Sequence, residues 1–261
     1  MPARPLARAA IVEVSRVARV TPNTARVTFT GPGVKGLPQR GYDHWFRFFL
    51  PRRDQVEPLL PPTEDWWTEV RAMPEDVRPV VRNYTIRRHR ADSEEIDVDF
   101  VLHGDTGPAS SWAGRVRPGD RAGLLDQGVT FDPSASGGRP SLIAGDETAL
   151  PAIAGIVGTM GDRDRALVYI EVPEASEEQP LHAPPGVEVR WVHRDTAPEG
   201  GLLSVIRAAD LPEDLGQAWL AGESSLVTGV RRHLVNDRGV ARQDISFSGY
   251  WRRGRSVDDA A

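Results

Sequence analysis

The apolar residues in the first half of the chain recur at the two-residue interval of β-strands. The clearest case is residues 96–103, where Ile96, Val98, Phe100 and Leu102 alternate with other residues. Such alternation places the apolar side chains on one face of a strand. Glycine and proline interrupt the pattern at short intervals, which favours a small antiparallel barrel or sandwich. The predicted strands cover residues 9–20, 25–30, 44–50, 80–87, 96–103 and 121–125, with one helix over 63–73.

The pattern changes after Phe131 to strands that alternate with helices. This alternation is typical of a parallel α/β sheet with helices on both faces. Residues 132–139 are rich in Pro, Ser and Gly and are interpreted as a linker, so the chain is divided into domains 1–136 and 137–261. The predicted order is strand 141–145, helix 149–160, strand 166–172, strand 187–193, helix 201–209, strand 217–222, helix 225–236 and strand 245–250.

The composition is that of an ordinary globular protein, and it excludes several functions. The chain has 261 residues, 39% of them hydrophobic and 26% charged, as is usual for folded domains. It has no cysteine, which excludes disulfides, iron–sulfur clusters and thiol nucleophiles. A net charge of −5 argues against nucleic-acid binding. The six histidines lack the spacing of a metal site, and no apolar stretch is long enough to span a membrane. We therefore expect a cytoplasmic monomer without a bound metal.

One segment of the first half carries residue types suited to a flavin. Residues 82–87 read Arg-Asn-Tyr-Thr-Ile-Arg. In a strand, one face receives Arg82, Tyr84 and Ile86, and the other receives Thr85 and Arg87. A guanidinium can hold a pyrophosphate with two parallel hydrogen bonds, and a tyrosine ring can lie against a planar ligand. An ordinary strand with exposed arginines is the alternative interpretation.

A second segment suited to phosphate follows the strand 96–103. Residues 103–113 read His-Gly-Asp-Thr-Gly-Pro-Ala-Ser-Ser-Trp-Ala, in which Gly107 and Pro108 open a short helix. The first backbone N–H groups of a helix form an anion site, and glycine lets a phosphate approach closely. A simple capped turn is the alternative.

The second half has its own candidate loops. Residues 145–149 and 222–223 each follow a strand and precede a helix, the position at which open parallel sheets bind ligands. Asp146 and Glu147 repel phosphate, so helix capping is an equally good role for them. The last strand leads into Trp251 and Arg252, which either plug the domain or border an anionic substrate.

These segments, in this order and spacing, resemble the siderophore-interacting protein family. The resemblance covers residues 9–254 and implies an FAD-binding antiparallel β-barrel followed by an NAD(P)H-binding parallel α/β domain, as in ferredoxin-reductase-like proteins. It assigns the following residues to cofactors: Arg82, Tyr84, Thr85, Ile86, Arg87, His103, Thr106, Gly107, Pro108, Ala109 and Ser110 to FAD, and Gly145, Asp146, Glu147, Thr148, Ala149, Gly222 and Glu223 to NAD(P)H.

The resemblance also implies an FAD-dependent ferric-siderophore reductase, in which the cofactor carries the redox chemistry and no side chain acts as acid or base. Members of the family often carry a lysine in the strand 44–50, where this chain has Arg47. The residues predicted to contact the ferric siderophore are Arg47, Arg88, Trp251 and Arg252. Glu171, at the end of a predicted strand, favours NADH over NADPH because a carboxylate disfavours a 2′-phosphate.

Two other functions remain open from the sequence. The first is a general flavin reductase or electron-transfer flavoprotein whose reduction of iron is incidental. The second is a siderophore-binding protein without catalysis. A ferredoxin in place of NAD(P)H as the electron donor is a further alternative.

Overall fold

An antiparallel sheet of seven strands and a parallel sheet of five make up the computed structural model of this protein, which describes residues 8–103 and 107–254. The chain divides into two units, Met1–Val129 and Thr130–Ala261, each with one of the sheets. The helices and strands are β1 (Ala10–Thr21), β2 (Thr24–Thr30), β3 (Trp45–Leu50), α1 (Trp66–Ala72), β4 (Val80–Thr85), β5 (Arg88–Arg90), β6 (Glu95–Val101), α2 (Pro108–Arg115), β7 (Arg121–Gly128), β8 (Ser141–Asp146), α3 (Leu150–Thr159), β9 (Ala166–Val172), β10 (Val187–His193), α4 (Gly201–Ala208), β11 (Gln217–Glu223), α5 (Ser224–Asn236) and β12 (Ile245–Trp251).

The first unit is a barrel-like sheet with the strand order β4-β3-β7-β1-β2-β6-β5. Its end strands β4 and β5 are separated in the chain only by Ile86 and Arg87, so the two ends of the sheet lie next to each other. The enclosed core is aromatic: Phe48 packs its ring edge-on against Phe29 and Trp112, at centroid distances of 5.6 and 5.3 Å. Since Trp112 comes from α2, that helix completes the core.

The predicted strand 80–87 is two strands in the structure, and the reason is a change of partner. β4 pairs with β3 as far as Thr85. The amide of Ile86 then donates to the carbonyl of His44 at 2.8 Å, and the amide of Arg87 donates to the carbonyl of Asp97 in β6 at 2.8 Å. The chain therefore crosses from one end of the sheet to the other within the predicted flavin segment.

β6 is buried on both faces, although its sequence alternates apolar and acidic residues. Asp97 and Asp99 are each 4% exposed. Arg26 holds Asp99 through two hydrogen bonds of 2.6 and 2.7 Å, and Arg90 holds Asp97 through two of 2.5 and 2.7 Å. Pairing with arginine is what allows carboxylates to be buried here.

The second unit is a parallel sheet with the order β10-β9-β8-β11-β12. α4 and α5 pack on one face, where Leu202, Ile206, Val230 and Leu234 join the core. The right-handed crossover expected of such folds places α3 on the other face. The direction of strand addition reverses between β8 and β11, and crevices for ligands form at such a point. The two sheets confirm the predicted fold class.

The stretch 132–139, interpreted from its composition as a linker, belongs to the second unit. Residues Pro133–Ser136 form a 3-10 turn. The side-chain amide of Gln217 on β11 donates to the carbonyl oxygens of Asp132 and Pro133, at 3.1 and 2.8 Å. Proline and glycine therefore mark a turn fixed against the sheet, and the boundary between the units falls after Val129.

Candidate cofactor sites

The segment 82–87 lies at the end of the barrel sheet. Arg82 and Tyr84 are the cross-strand partners of Phe48 and Phe46, so they share the inner face of the sheet. The ring of Tyr84 lies 4.4 Å from that of Phe100, centroid to centroid. Burial raises the pKa of the Tyr84 hydroxyl well above its usual range, so this group is a neutral hydrogen-bond donor at physiological pH.

The other three predicted flavin residues of this segment have different surroundings. Thr85 is 7% exposed and Ile86 is 5% exposed, with Ile86 in the barrel core. The Nε of Arg87 lies 3.7 Å from Asp99 and has no hydrogen-bond partner within residues 8–103 and 107–254. Burial lowers the pKa of Arg87. The structure thus groups Arg87 with the charged residues of β6, and Tyr84 with the aromatic core.

A buried His–Asp pair, which no sequence motif indicated, supports the turn after Thr85. The carbonyl of His44 accepts the amide of Ile86, while its Nε2 lies 2.7 Å from Asp126 Oδ1. Asp126 is completely buried and also accepts the amide of Gly128 at 2.9 Å. These residues are far apart in the sequence and no local motif joins them, so only the paired strands β3 and β7 reveal the contact.

This pair makes the stability of the protein sensitive to acid. Burial alone would raise the pKa of Asp126, but the hydrogen bond from His44 and other polar contacts hold it below its usual value. A depressed pKa stabilises the fold above the unfolded-state value of about 3.9, and this contribution is lost as the pH falls towards the folded-state pKa. Asp126→Asn should therefore flatten the decline in the free energy of unfolding below about pH 4, by at most about 1.4 kcal/mol per pH unit.

Urea denaturation between pH 6 and pH 2.5 measures this effect. Asp54→Asn is the matched control, because Asp54 is exposed in a loop of the same unit. Parallel pH profiles of wild type and Asp126→Asn would contradict the assignment.

The segment 103–113 provides an uncapped helix N-terminus. α2 begins after Gly107, with Pro108 in its first turn and no side-chain hydrogen bond at the cap. Ser110 is 5% exposed and accepts the amide of His103 on its hydroxyl at 3.1 Å. A Cβ at Gly107 would lie 3.1 Å from the imidazole of His103, so glycine allows this close packing. Ala109 is also buried, whereas Thr106 lies outside the described residues.

A cavity of about 180 Å³ opens beside this helix terminus. Three arginines line it, and sequence analysis missed all of them. The lining residues are Leu50, Pro51, Arg52, Arg53, Val80, Pro108, Ser111, Trp112 and Arg115. The spacing of positions 108, 111 and 115 places them on one face of a helix. From this spacing the sequence could have indicated which face of α2 lines the cavity. A helix N-terminus and clustered guanidiniums suit a dinucleotide diphosphate.

In the second unit, Asp146 joins the ends of three parallel strands. It is 1% exposed. Its Oδ1 accepts the amide and hydroxyl of Thr148, at 2.9 and 2.5 Å. Its Oδ2 accepts the amide of Glu223 at 2.6 Å and the indole N–H of Trp251 at 2.8 Å. Each oxygen therefore has two donors, and Asp146 organises the loop with its carboxylate turned inward.

Gly222 and Glu223 meet Asp146 at the point where the strand order reverses. Gly222 has φ of +129°, and a Cβ there would lie 2.6 Å from the Asp146 carboxylate, so only glycine fits without strain. Glu223 caps α5 by accepting the amides of Ser225 and Leu226, at 2.6 and 3.1 Å. Its carboxylate occupies the N-terminus of α5, whereas α3, which begins after Ala149, has no side-chain cap.

Glu147 and Glu171 share a single cation, Arg194. Arg194 donates to Glu147 at 2.6 Å and to Glu171 at 2.9 Å. The second oxygen of Glu171 accepts the amide of Leu202 at the start of α4, at 2.8 Å. Both oxygens of Glu171 are thus engaged within the fold, and the preference for NADH stays a prediction. Gly145 packs against β11, since a Cβ there would lie 2.5 Å from the carbonyl oxygen of Ala221.

The predicted substrate residues are dispersed over both units. Arg47 is partly buried on β3, Arg88 is exposed on β5, and Arg252 is exposed after β12. Trp251 is partly buried, with its indole N–H bound to Asp146. Trp251 therefore has a structural contact that the sequence did not indicate.

No group of three His, Asp or Glu side chains in residues 8–103 and 107–254 could hold a metal ion. No helix in these ranges is long and apolar enough to cross a membrane.

Comparison with known proteins identifies the family. Residues 13–130 match the model of the siderophore-interacting FAD-binding domain, and residues 139–254 match that of the siderophore-interacting protein. Ferric vibriobactin reductase of Vibrio cholerae is 30% identical over 95% of this chain and 91% of its own length. The chain belongs to the siderophore-interacting protein family. This confirms the resemblance inferred from its motifs.

Solved structures of the siderophore-interacting family agree with the fold. A siderophore utilization protein from T. fusca is 34% identical, with a TM-score of 0.82 and 97% of each chain covered. The siderophore-interacting protein from Aeromonas hydrophila is 30% identical, with a TM-score of 0.81, 97% of this chain and 94% of that chain being covered. A ferredoxin NADP+ reductase from Neisseria gonorrhoeae with bound FAD and NADP, at 13% identity and a TM-score of 0.66, shares the fold.

The match of its first unit to the siderophore-interacting FAD-binding domain makes this chain an FAD-binding member of the family. The residues present fit a flavin dinucleotide, because an uncapped helix terminus and an arginine-lined cavity lie together in the first unit. They also fit a second nucleotide, because the uncapped α3 begins at the point of strand reversal in the second unit.

Proposed function

We propose that the protein reduces a ferric siderophore with electrons from NAD(P)H and so releases iron as Fe²⁺. The observation that carries this proposal is that each unit has a helix start without a side-chain cap, one beside an arginine-lined cavity and one at the switch point of the parallel sheet. Named relatives support the choice of substrate. Besides the vibriobactin reductase, the ferric acinetobactin reductase of Acinetobacter baumannii is 28% identical over 71% of this chain.

Bound FAD supplies the conversion of one hydride from NAD(P)H into two single electrons for iron. The balanced reaction consumes NAD(P)H and two Fe³⁺ chelates and yields NAD(P)⁺, two Fe²⁺ and one proton. Within the chain, Arg82 and the start of α2 bind the FAD diphosphate, while Tyr84 and Thr85 orient the flavin ring. Asp146 and Gly222 fix the nucleotide loops. Since the transfer to iron involves electrons alone, that step needs no side chain as an acid or base.

Each domain and three of the predicted substrate residues have a role in this reaction. Residues 1–136 bind FAD and residues 137–261 bind NAD(P)H. Arg47, Arg88 and Arg252 attract an anionic ferric siderophore, because positive side chains draw anionic ligands even when the net charge is negative. The protein acts in the cytoplasm as a monomer, and NAD(P)H rather than a ferredoxin is the electron donor.

Anaerobic visible spectroscopy of the FAD-loaded protein tests this function. NADH or NADPH should bleach the flavin band, and the faster of the two identifies the donor. A ferric siderophore should then restore the band faster than a free ferric salt does. Equal rates with both iron sources would favour a general flavin reductase.

Two other results would contradict the proposal. Bound flavin that neither nucleotide bleaches would indicate a ferredoxin-type donor. A protein that binds the chelate but no flavin would be a siderophore-binding protein without catalysis.

A further inference from the structure

Two carboxylates and one guanidinium meet at the carboxyl ends of three neighbouring parallel strands. Glu147 follows β8, Glu171 is the last but one residue of β9, and Arg194 follows β10. Arg194 donates from both Nη atoms to the carboxylate of Glu147, at 3.3 and 2.6 Å, and from Nε to Glu171 at 2.9 Å. We call Glu147, Glu171 and Arg194 the Glu–Arg–Glu cluster.

This cluster lies where the adenosine ribose of a dinucleotide is expected. In parallel α/β domains, the diphosphate lies at the start of the first helix, and a carboxylate at the end of the second strand faces the ribose 2′-hydroxyl. Here β8 and α3 are the first strand and helix of the unit, and β9 is its second strand. The start of α3 has no side-chain cap. Because Glu147 lies between β8 and α3 and reaches Arg194, the cluster flanks the expected position of the 2′-hydroxyl.

The two carboxylates differ in what holds them. Glu171 is fixed in the fold, since its second oxygen accepts the amide of Leu202 at 2.8 Å and a Cβ at Gly201 would lie 2.5 Å from that oxygen. Glu147 is held by Arg194 and by its own backbone amide. A pair of guanidinium donors can hold a phosphate with two parallel hydrogen bonds. Glu147 therefore occupies the donors that a 2′-phosphate would need.

The charges around the cluster are unfavourable for a further anion. The two glutamates leave the cluster with one negative charge in excess, and the buried carboxylate of Asp146 adds a second. Burial, opposed by the hydrogen bond from Arg194 and reinforced by the charge of Asp146, raises the pKa of Glu147. The neighbouring His193 brings no positive excess, because it pairs with Glu178 at 2.6 Å. A 2′-phosphate, which carries about 1.5–2 negative charges, is repelled in these surroundings.

We propose that Glu147 and Arg194 select the unphosphorylated donor NADH, an inference that rests on the use of NAD(P)H proposed above. Glu147 accepts a hydrogen bond from the ribose 2′-hydroxyl and withholds the paired donors of Arg194 from the 2′-phosphate of NADPH. This moves the choice of nucleotide from Glu171, which the sequence pattern indicated, to a residue in the loop before α3. Neutralising Glu147 should free Arg194 for a phosphate and reverse the preference.

Two adenosine fragments that differ only in the 2′-phosphate test the inference without electron transfer. The FAD-loaded protein is titrated by calorimetry with 5′-AMP and with adenosine 2′,5′-bisphosphate. Wild type should bind 5′-AMP more tightly than the bisphosphate, by about tenfold or more. Glu147→Gln should raise the affinity for the bisphosphate about tenfold or more, because paired charge-assisted hydrogen bonds replace a repulsion. It should leave the affinity for 5′-AMP within about threefold, since the glutamine amide keeps an acceptor oxygen.

Two further variants identify the source of that gain. Glu147→Gln combined with Arg194→Met has no guanidinium in the cluster, so the gain for the bisphosphate should disappear. Glu213→Gln is the matched control, because Glu213 is exposed in the same unit and the substitution removes the same charge. This control should bind both fragments as wild type does.

Several outcomes would overturn the inference: wild type binds the two fragments equally or binds neither, Glu147→Gln leaves their ratio unchanged, or the gain persists in the double variant or appears in Glu213→Gln. The proposed function is tested apart from it. If the fragments bind as expected while neither NADH nor NADPH bleaches the flavin, the reductase function alone fails, and the cluster selects another adenosine nucleotide without a 2′-phosphate.

Discussion

Replacing Arg82 with alanine should weaken FAD binding about 30- to 150-fold, because a charge-assisted hydrogen bond to a phosphate is worth about 2–3 kcal/mol. Arg82 lies on the inner face of β4 opposite Phe48, two residues before Tyr84. Its Nη1 donates to the carbonyl of Val81 at 2.8 Å, which helps to orient the guanidinium. Fluorescence titration of the apoprotein with FAD measures the change in affinity.

Two further variants separate charge from geometry at this position. Arg82→Lys keeps the charge but loses the planar pair of donors, so its FAD affinity should fall between those of wild type and Arg82→Ala. Arg121→Ala is the matched control, because Arg121 has a side chain that is 45% exposed and pairs with Glu13 and Glu57 on the surface of the same unit. Should Arg82→Ala bind FAD as tightly as this control does, the diphosphate would be held by the cavity arginines instead.

The fold was predictable because its periodicities are local. Alternation over residues 96–103 predicted β6, and the alternation of strands and helices after Phe131 predicted the parallel sheet. What the pattern could not show is which polar side chains are buried. Asp97 and Asp99 look like the solvent face of a strand, but Arg26 and Arg90 pair with them across the sheet. Similarly, the change of partner at Ile86 depends on His44, which is distant in sequence.

The candidate sites were predictable only where a short motif carries them. Gly107 and Pro108 marked the start of α2, and Gly145 and Gly222 marked the loops of the second unit. In contrast, Arg52 and Arg53 follow β3 in an irregular loop, and their place beside α2 depends on the folded barrel. The sequence offered helix capping as a role for Asp146, whereas the structure shows a contact with Trp251 across 105 positions of the chain.

That contact leads to the second large expected effect: Asp146→Ala should destabilise the second unit by about 2–4 kcal/mol. The substitution leaves buried donors of Glu223, Trp251 and Thr148 without an acceptor, and an unsatisfied buried donor costs about 1–3 kcal/mol. Because Asp146 ties β8 to the ends of β11 and β12, the nucleotide loops should lose their fixed geometry. The KM for NAD(P)H should rise about tenfold or more at temperatures where the variant is folded.

The retention of FAD distinguishes this role from a general failure to fold. The predicted flavin residues lie in the other unit, so Asp146→Ala should keep its flavin while NAD(P)H bleaches it slowly. Asp146→Asn should be nearly as damaging, since its amide group places a donor opposite existing donors at one of the two oxygen positions. Asp162→Ala is the control, because Asp162 is exposed in the same unit. If Asp146→Asn were as stable as Asp162→Ala and reduced as fast, the four hydrogen bonds would not be what orders the nucleotide loops.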